Sequence, residues 1–397
     1  MKILWVATKP PWPLVDGGRL VQWHTLSALA NSGADIALVA PADRAIDPEI
    51  VVAKLEPLCR ANLVAHAPRT WMRTIPKAII QRAPFSIARH HIEAVRLEVK
   101  RLLAHEQFDL LHAEQLQALA NCTDAYDAPL PVVLRAQNVE SDLWFALAAH
   151  QGIAGALLKH QARRLREWEA GAVRRCGATI ALTQSDAGKL RAIADAAGKT
   201  HCIPAPFPAE LPDAHPSPLP GRPALLIFGS SGWAPNRDGT DWFVREIWPA
   251  VSTRLPNAML HLYSGGAFAA RARNIVMHAA PDDSAAAFAP GSILLVPLRI
   301  ASGVRMKILE AWARGIPVVA TPEAAEGLGA TDRRELMIAR TGAEFASAIA
   351  TLNDSGETRD AMTSHARALL RIQHDPMTIA ARMLALYRDV VTSRKAH

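Results

Sequence analysis

Ser302-Gly303-Val304-Arg305-Met306-Lys307-Ile308-Leu309-Glu310-Ala311-Trp312-Ala313-Arg314-Gly315-Ile316-Pro317-Val318-Val319 is the stretch on which the reading of this chain turns. An apolar run, Ser292-Ile293-Leu294-Leu295-Val296-Pro297-Leu298, precedes it and reads as a buried strand. The Ser-Gly pair then predicts a tight turn, and the following segment a helix that opens with two cations and stops at Gly315. A second apolar run closes the unit. Strand, glycine turn and helix N-terminus together form an anion site, because backbone N–H groups and the positive end of the helix dipole face the ligand. Arg305 and Lys307 add full charges there, and a guanidinium grips phosphate oxygens two at a time. An ordinary β-α-β unit with solvated cations has the same local pattern, so the rest of the chain has to decide.

The remainder repeats this grammar. Lys2 to Ala7 reads as a strand. The segment Pro10-Pro11-Trp12-Pro13-Leu14-Val15-Asp16-Gly17-Gly18-Arg19 is too rich in Pro and Gly for regular structure, and a helix is predicted from Leu20 to Ser32. Asp35 to Ala40 is the next strand, giving the β-loop-α-β start of a doubly wound sheet. Further strands are predicted at Leu110–Ala113, Pro131–Arg135 and Thr179–Leu182. From Ile203 to Pro223 the chain carries eight prolines and reads as a linker. It then restarts with the strand Ala224–Phe228, a glycine loop, a helix from Thr240 to about Leu255, and a strand from Ala258 to Tyr263. The expected organisation is α/β: an N-terminal Rossmann-like domain (1–203), a proline-rich linker (204–223), a second Rossmann-like domain (224–375), and a last helix (376–397) that packs back on the first domain. Two such domains facing across a cleft put a ligand between them.

Bulk properties narrow the class. The 397 residues exceed one ordinary core, and half of them are apolar with a fifth charged, which excludes a disordered chain. No apolar run approaches the roughly 20 residues of a membrane-spanning helix, and the N-terminal apolar run is too short for a signal peptide, so cytoplasm is the expected location. Cys59, Cys122, Cys176 and Cys202 are scattered, which indicates neither a zinc site nor a disulfide framework. The formal net charge of +7 suits anionic ligands or an anionic membrane surface; no reader motif for nucleic acid accompanies it. Two stretches read as plain solvated or buried helix faces, with a membrane contact on the cytoplasmic face as the alternative. One is the basic face of Ala154–Arg175 (Arg163, Arg164, Arg166, Arg174, Arg175). The other is the basic and apolar segment Thr70–Ile80.

Polar residues at strand ends supply the remaining candidates. His112 and Glu114 close one strand, and Gln137-Asn138-Val139-Glu140-Ser141 follows another. Asp16, Gly17, Gly18 and Arg19 repeat the anion-site pattern in the first domain. Glu310 shares a helix face with Lys307, as either a salt-bridge partner or an acceptor for sugar hydroxyls. Gly229 and Gly232 do not make a dinucleotide fingerprint, so hydride chemistry has no support.

Four stretches together resemble the family 4 glycosyltransferases of GT-B architecture, closest to the subgroup of sugar transferases of polysaccharide assembly. They are Pro13 through Gly17-Gly18 to Pro41; Gln137-Asn138-Val139-Glu140-Ser141, similar to that family's H-N-V-E-S; Phe228 through Trp233-Ala234-Pro235-Asn236-Arg237-Asp238 to Pro249; and Val296 through Glu310 to Thr321 with Glu326-Gly327-Leu328. The resemblance implies a retaining, metal-independent transferase. Its donor substrate would be a UDP- or GDP-linked sugar, and its acceptor a glycan, a lipid-linked glycan or a small molecule. It implies that Arg305 and Lys307 hold the donor diphosphate and act in catalysis with His112. Ser302, Gly303, Val304, Gly17, Gly18 and Gly232 would contact the donor, with Glu310 on its ribose. Asp16, Arg19, His112, Glu114, Gln137, Asn138, Trp233 and Asn236 would line the sugar and acceptor side. Two departures stand out. Ser302 occupies the place of the first of the family's paired glutamates, and Gln137 that of a common His. These departures keep a catalytically silent nucleotide-sugar-binding protein open as an alternative, and a sugar-nucleotide epimerase, which can share this architecture, is the other.

Overall fold

The structure, a computed structural model, describes residues 1–43, 47–66, 71–80, 82–127, 130–149, 154–211, 217–229, 233–263, 273–279 and 283–395. The chain divides into two compact units. One comprises Met1–Pro13, Val21–Pro206 and Pro376–His397; the other comprises Leu14–Leu20 and Phe207–Asp375.

The first unit is built on seven parallel strands, β1 (Lys2–Ala7), β2 (Asp35–Asp43), β3 (Arg60–His66), β4 (Leu110–Glu114), β5 (Val132–Ala136), β6 (Ala178–Ala181) and β7 (Thr200–Cys202), in the order β3-β2-β1-β4-β5-β6-β7. Its central strands are buried on both faces, which is why β1 reads as continuous apolar sequence rather than as an alternation. The Pro376–Lys395 helix belongs to this unit. Its Ile379, Ala380, Met383 and Tyr387 join Ile3, Trp5, Leu29 and Leu38 in one core cluster.

The second unit carries six parallel strands, β8 (Ala224–Phe228), β9 (Met259–Tyr263), β10 (Ile275–His278), β11 (Ile293–Val296), β12 (Val318–Ala320) and β13 (Met337–Ile338), in the order β10-β9-β8-β11-β12-β13. With β8 counted as the first strand, this order repeats that of the other sheet. Both are doubly wound, and each reverses direction of winding at one point, between β1 and β4 and between β8 and β11. The loops at the carboxyl ends of the strands beside such a switch point are where these sheets take ligands.

Local structure departs from the sequence reading in three places. The first helix runs Gly17–Asn31 and so begins inside the glycine segment; Asp16 caps it, its Oδ1 accepting from the Arg19 N–H at 3.0 Å. The helix predicted from Thr240 begins at Ala234, because Pro235 is accommodated in a first turn, where no N–H is needed. It ends at Trp242, and a wide turn over Phe243–Ile247 leads into the helix Trp248–Arg254, whose Pro249 again sits in the first turn. The proline-rich segment after β7 is not loose at its start. Ala205 and Phe207 are fully buried, the Phe207 N–H donates to the His374 carbonyl at 2.8 Å, and the Leu211 N–H to that of Ala313 at 3.2 Å.

Candidate functional site

In the second unit the switch point gathers the residues of the opening motif. Strand β8 ends at Phe228, and Gly229 follows with φ +148°, a conformation side chains rarely adopt. A Cβ there would lie 2.5 Å from Asn236 Nδ2 and 2.7 Å from Lys307 Nζ, so only glycine lets these groups come so close to the backbone. Lys307, half-buried in the first turn of the helix Met306–Ala313, donates to the Phe228 carbonyl at 2.5 Å and to Asn236 Oδ1 at 3.0 Å. Burial, and then the field of Arg305, pull its ammonium down to about 8.

Arg305 occupies the N-cap position of that helix and is nearly buried. Its Nη2 donates to the Glu326 carbonyl. Of the backbone donors at the helix opening, the Met306 N–H reaches the Val304 carbonyl at 3.1 Å and the Ile308 N–H the Arg305 carbonyl at 2.8 Å. The site's positive character therefore rests more on Arg305 and Lys307 than on free N–H groups. Ser302 and Val304 are half-buried beside the buried Gly303, whose φ is +72°. One turn further on, Glu310 does not pair with Lys307. Its Oε1 accepts from Ser284 Oγ at 3.0 Å and from Arg314 Nη2 at 3.0 Å, while the buried Oε2 has no hydrogen-bond partner. Burial raises this carboxyl above its usual range, opposed by Arg314.

The helix Ala234–Trp242 is held against this site by residues the sequence reading passed over. Asp238 and Arg299 form a bidentate pair at 2.5 and 3.0 Å, and the Arg299 guanidinium lies 5.8 Å from the Trp242 ring centre. A Cβ on Gly239 would fall 2.3 Å from the Pro297 carbonyl oxygen, so the helix packs directly on the backbone that leaves β11. Trp233 caps this helix without a side-chain bond and is exposed. Gly232 lies outside the described residues. Leu14–Leu20 groups with this unit: Arg19 Nε lies 3.3 Å from Asp16 Oδ2, and a Cβ on Gly17 would sit 3.5 Å from the Met306 side chain. Gly17 is exposed and Gly18 half-buried.

At the ends of β4 and β5 in the first unit lies a closed polar network rather than a lined surface. His112 is 0 % exposed and stacks on Trp5 with ring centres 3.7 Å apart. Its Nδ1 is 2.7 Å from the Tyr387 hydroxyl and its Nε2 3.2 Å from Glu114 Oε2. Glu114, also 0 % exposed, accepts from Arg135 Nε at 2.9 Å and from Gln137 Nε2 at 2.6 Å. Arg135 in turn donates to Thr25 Oγ1 at 2.5 Å. Burial pulls the His112 imidazole down to about 4, so it is neutral at pH 7. The expected contact of His112 and Glu114 with a substrate finds no open face here, because both ring nitrogens and both carboxylate oxygens are engaged inside the protein. Gln137 is largely inside the same network, and its Oε1 also accepts from Gln115 at 2.9 Å.

Asn138 alone of these residues stays half-buried beside Glu140, its Nδ2 3.5 Å from Glu140 Oε1. The helix Glu140–Ala149 is capped from a distance by Glu169, on the helix Ala154–Arg175. Glu169 accepts from the Glu140 N–H at 2.9 Å and from Ser141 Oγ at 2.6 Å. Among the described residues, no three His, Cys, Asp or Glu side chains are grouped to hold a metal ion, and no helix is long and apolar enough to cross a membrane.

With this geometry in view, comparison with known proteins identifies the architecture. The family model described as Glycosyl transferases group 1 matches residues 222–355, the span of β8 to the helix Gly342–Asp354. No curated protein sequence matches the chain. Among solved structures, sucrose-phosphate synthase from Thermosynechococcus elongatus is similar with a TM-score of 0.72 at 15% identity, over 99% of this chain and 100% of that one. Anabaena HepE in complex with UDP and glucose is similar with a TM-score of 0.68 at 17% identity, over 98% of this chain and 100% of that one. WaaG, a glycosyltransferase involved in lipopolysaccharide biosynthesis, is similar with a TM-score of 0.61 at 13% identity, over 96% and 98%. The chain thus shares the two-sheet α/β fold of these structures, and its residues 222–355 match the model described as Glycosyl transferases group 1.

Proposed function

We propose that the protein transfers a sugar from a nucleotide diphosphate sugar to a hydroxyl acceptor in glycan or glycoconjugate assembly, with retention at the anomeric carbon and without a metal ion. The observation that carries this is the pair Arg305 and Lys307 at the opening of the Met306–Ala313 helix, beside the Gly229 turn at the sheet's switch point. A leaving diphosphate develops negative charge, and two fixed cations at a helix N-terminus stabilise it more in the transition state than in the ground state. Glu310 Oε2, buried with an unused acceptor position, suits a ribose hydroxyl. Retention follows from the family resemblance and fits a site whose main resource is leaving-group stabilisation rather than a carboxylate pair. UDP is the first nucleotide to test, since structures of HepE hold UDP and UDP-glucose.

The acceptor class is a glycan, with a lipid-linked one favoured by the exposed apolar side chains of the first unit. Ile75 and Ile80 on the helix Trp71–Ile80 stand open, and so does Leu157, near the exposed cations Lys159, Arg163 and Arg166 of its own helix. Thermal-shift titration with UDP and GDP, followed by UDP release from UDP-glucose against soluble and lipid-linked acceptors with and without a chelator, tests the reading. Arg305→Ala and Lys307→Ala are expected to cut turnover by about 10²- to 10³-fold with the circular dichroism spectrum unchanged. Near-wild-type rates in both variants would sink the assignment. Epimerised nucleotide sugar formed without acceptor would replace it with the epimerase, and nucleotide binding with no turnover on any acceptor with a silent binder.

A further inference from the structure

We infer that Asn236 is a positioning residue for Lys307: its side-chain carbonyl, together with the Phe228 main-chain carbonyl, holds the ammonium as a fixed, positively charged contact for the donor diphosphate. This rests on the reading of Lys307 as a diphosphate ligand and assigns Asn236 to the cation rather than to the sugar.

An ammonium has three N–H donors on a flexible four-carbon stem. Two of the three are spent on Phe228 O at 2.5 Å and Asn236 Oδ1 at 3.0 Å. The third makes no hydrogen bond among the described residues and remains for a ligand oxygen. Both acceptors are neutral, which matters as much as their position. A carboxylate in the place of Asn236 would hold the lysine equally well and cancel the charge that a phosphate needs. With neutral carbonyls the charge survives, and each hydrogen bond to the charged form favours it against the burial that opposes it.

The surroundings leave Asn236 little freedom. Its own carbonyl accepts from Thr240 Oγ1 at 2.8 Å, a turn along the same helix. The Asp238–Arg299 pair and the approach of Gly239 to Pro297 fix that helix to the segment after β11. Gly229 leaves room for the Asn236 amide on the other side. The charge around Lys307 is equally defined. Arg305 is the charged group whose field acts on it. Asp238, on the Asn236 helix, is taken by Arg299; Glu310, a turn along the Lys307 helix, is taken by Arg314; and β8, Ala-Leu-Leu-Ile-Phe, brings no titratable side chain. The lowered position of the ammonium, about 8, makes its charge sensitive to the loss of one acceptor.

Two readouts on the full chain test this. The rate of Lys307 acetylation by acetic anhydride, followed by peptide mass spectrometry across pH, reports the lysine directly and needs no ligand. Calorimetric titration with UDP at pH 7 and pH 9 reports the contact. Asn236→Ala is expected to move the Lys307 reactivity profile to lower pH by about one unit, the tenfold worth of one hydrogen bond to a charged group. UDP affinity should then fall more at pH 9 than at pH 7, since the neutral amine has no charge to offer. The isosteric Asn236→Asp keeps the helix intact and should move the profile to higher pH, yet weaken UDP at both pH values. A reactivity profile identical to wild type in both variants would overturn the inference, as would a loss of UDP affinity of the same size at both pH values in Asn236→Ala, which is what a merely structural role gives. If the wild-type chain binds neither UDP nor GDP, the diphosphate reading of the site fails and this inference fails with it; a profile shift with that outcome would show a lysine pair without a donor.

Discussion

Glu114→Ala separates a structural from a catalytic reading of the polar cluster in the first unit. In the structure this carboxylate is fully buried and meets Arg135 Nη2 at 2.6 Å, Arg135 Nε at 2.9 Å and Gln137 Nε2 at 2.6 Å. Arg135 is itself 1 % exposed and cannot reach water when its partner is removed. Taking one member from a buried ion pair costs about 3–5 kcal/mol, because the other charge is left uncompensated. The orphaned Gln137 amide and His112 imidazole add to this, with a ceiling set by non-additivity among neighbours that share one network. A loss of about 4 kcal/mol is therefore expected. Replacing both members, Glu114→Met with Arg135→Met, removes the charge and its countercharge together and should recover most of it. Urea unfolding at pH 7, followed by tryptophan fluorescence in the transition of the first unit, measures all three variants. The reasoning is refuted if Glu114→Ala unfolds within about 0.5 kcal/mol of wild type, the range of ordinary surface changes, while turnover collapses. Glu114 would then be an open substrate contact, as its place at a strand end first suggested.

Two further tests bear on the same structure. Gly239→Ala would set a methyl 2.3 Å from the Pro297 oxygen, forcing the Ala234–Trp242 helix off β11 at a cost of about 1–3 kcal/mol and loosening UDP binding through Asn236; an unchanged melting temperature and unchanged UDP affinity would show that the helix does not pack so closely. Stability should also fall on acidification. His112 and His24 are both pulled by burial from 6.5 to about 4, so the folded chain binds fewer protons than the unfolded one between those values. Their contribution is complete above about pH 6.5 and is lost as pH falls through that window. Urea midpoints that stay level from pH 7 to pH 5 would show that neither imidazole is held neutral in the fold.

Much of the architecture was legible because it depends on local pattern. Buried parallel strands are apolar runs, and glycines at or just before a helix start recur after β1, β8 and β11, so the doubly wound sheets could be read twice over. Helix boundaries were less legible around prolines: Pro235 looks like a break, and the single helix expected from Thr240 to about Leu255 runs through Pro249, yet each proline sits in a first turn that needs no N–H. The cations of the proposed donor site were readable as charges, since Arg305 and Lys307 stand at a helix start. Their partners were not, because Asn236 lies 71 residues from Lys307 and nothing local ties a lysine to a neutral amide.

The strand-end residues of the first unit are turned into an internal network for a more general reason. A polar side chain at the carboxyl end of a buried strand either faces a ligand or is satisfied by the protein, and the strand itself reads the same in both cases. What decides is whether enough partners converge on it. His112 is closed off by Tyr387, 275 residues later in a helix whose apolar stripe advertises only packing. Glu114 is closed off by Arg135 on the neighbouring strand and by Gln137, where many members of the resembled family carry a histidine. That Gln donates to the carboxylate with an amide that never titrates, so the network keeps one charge pair, Glu114 with Arg135, and one neutral imidazole over the neutral pH range. In the first unit the polar residues at the strand ends are matched to one another. In the second, Lys307 is held by two neutral carbonyls and keeps its charge, which is the condition for receiving an anion from outside.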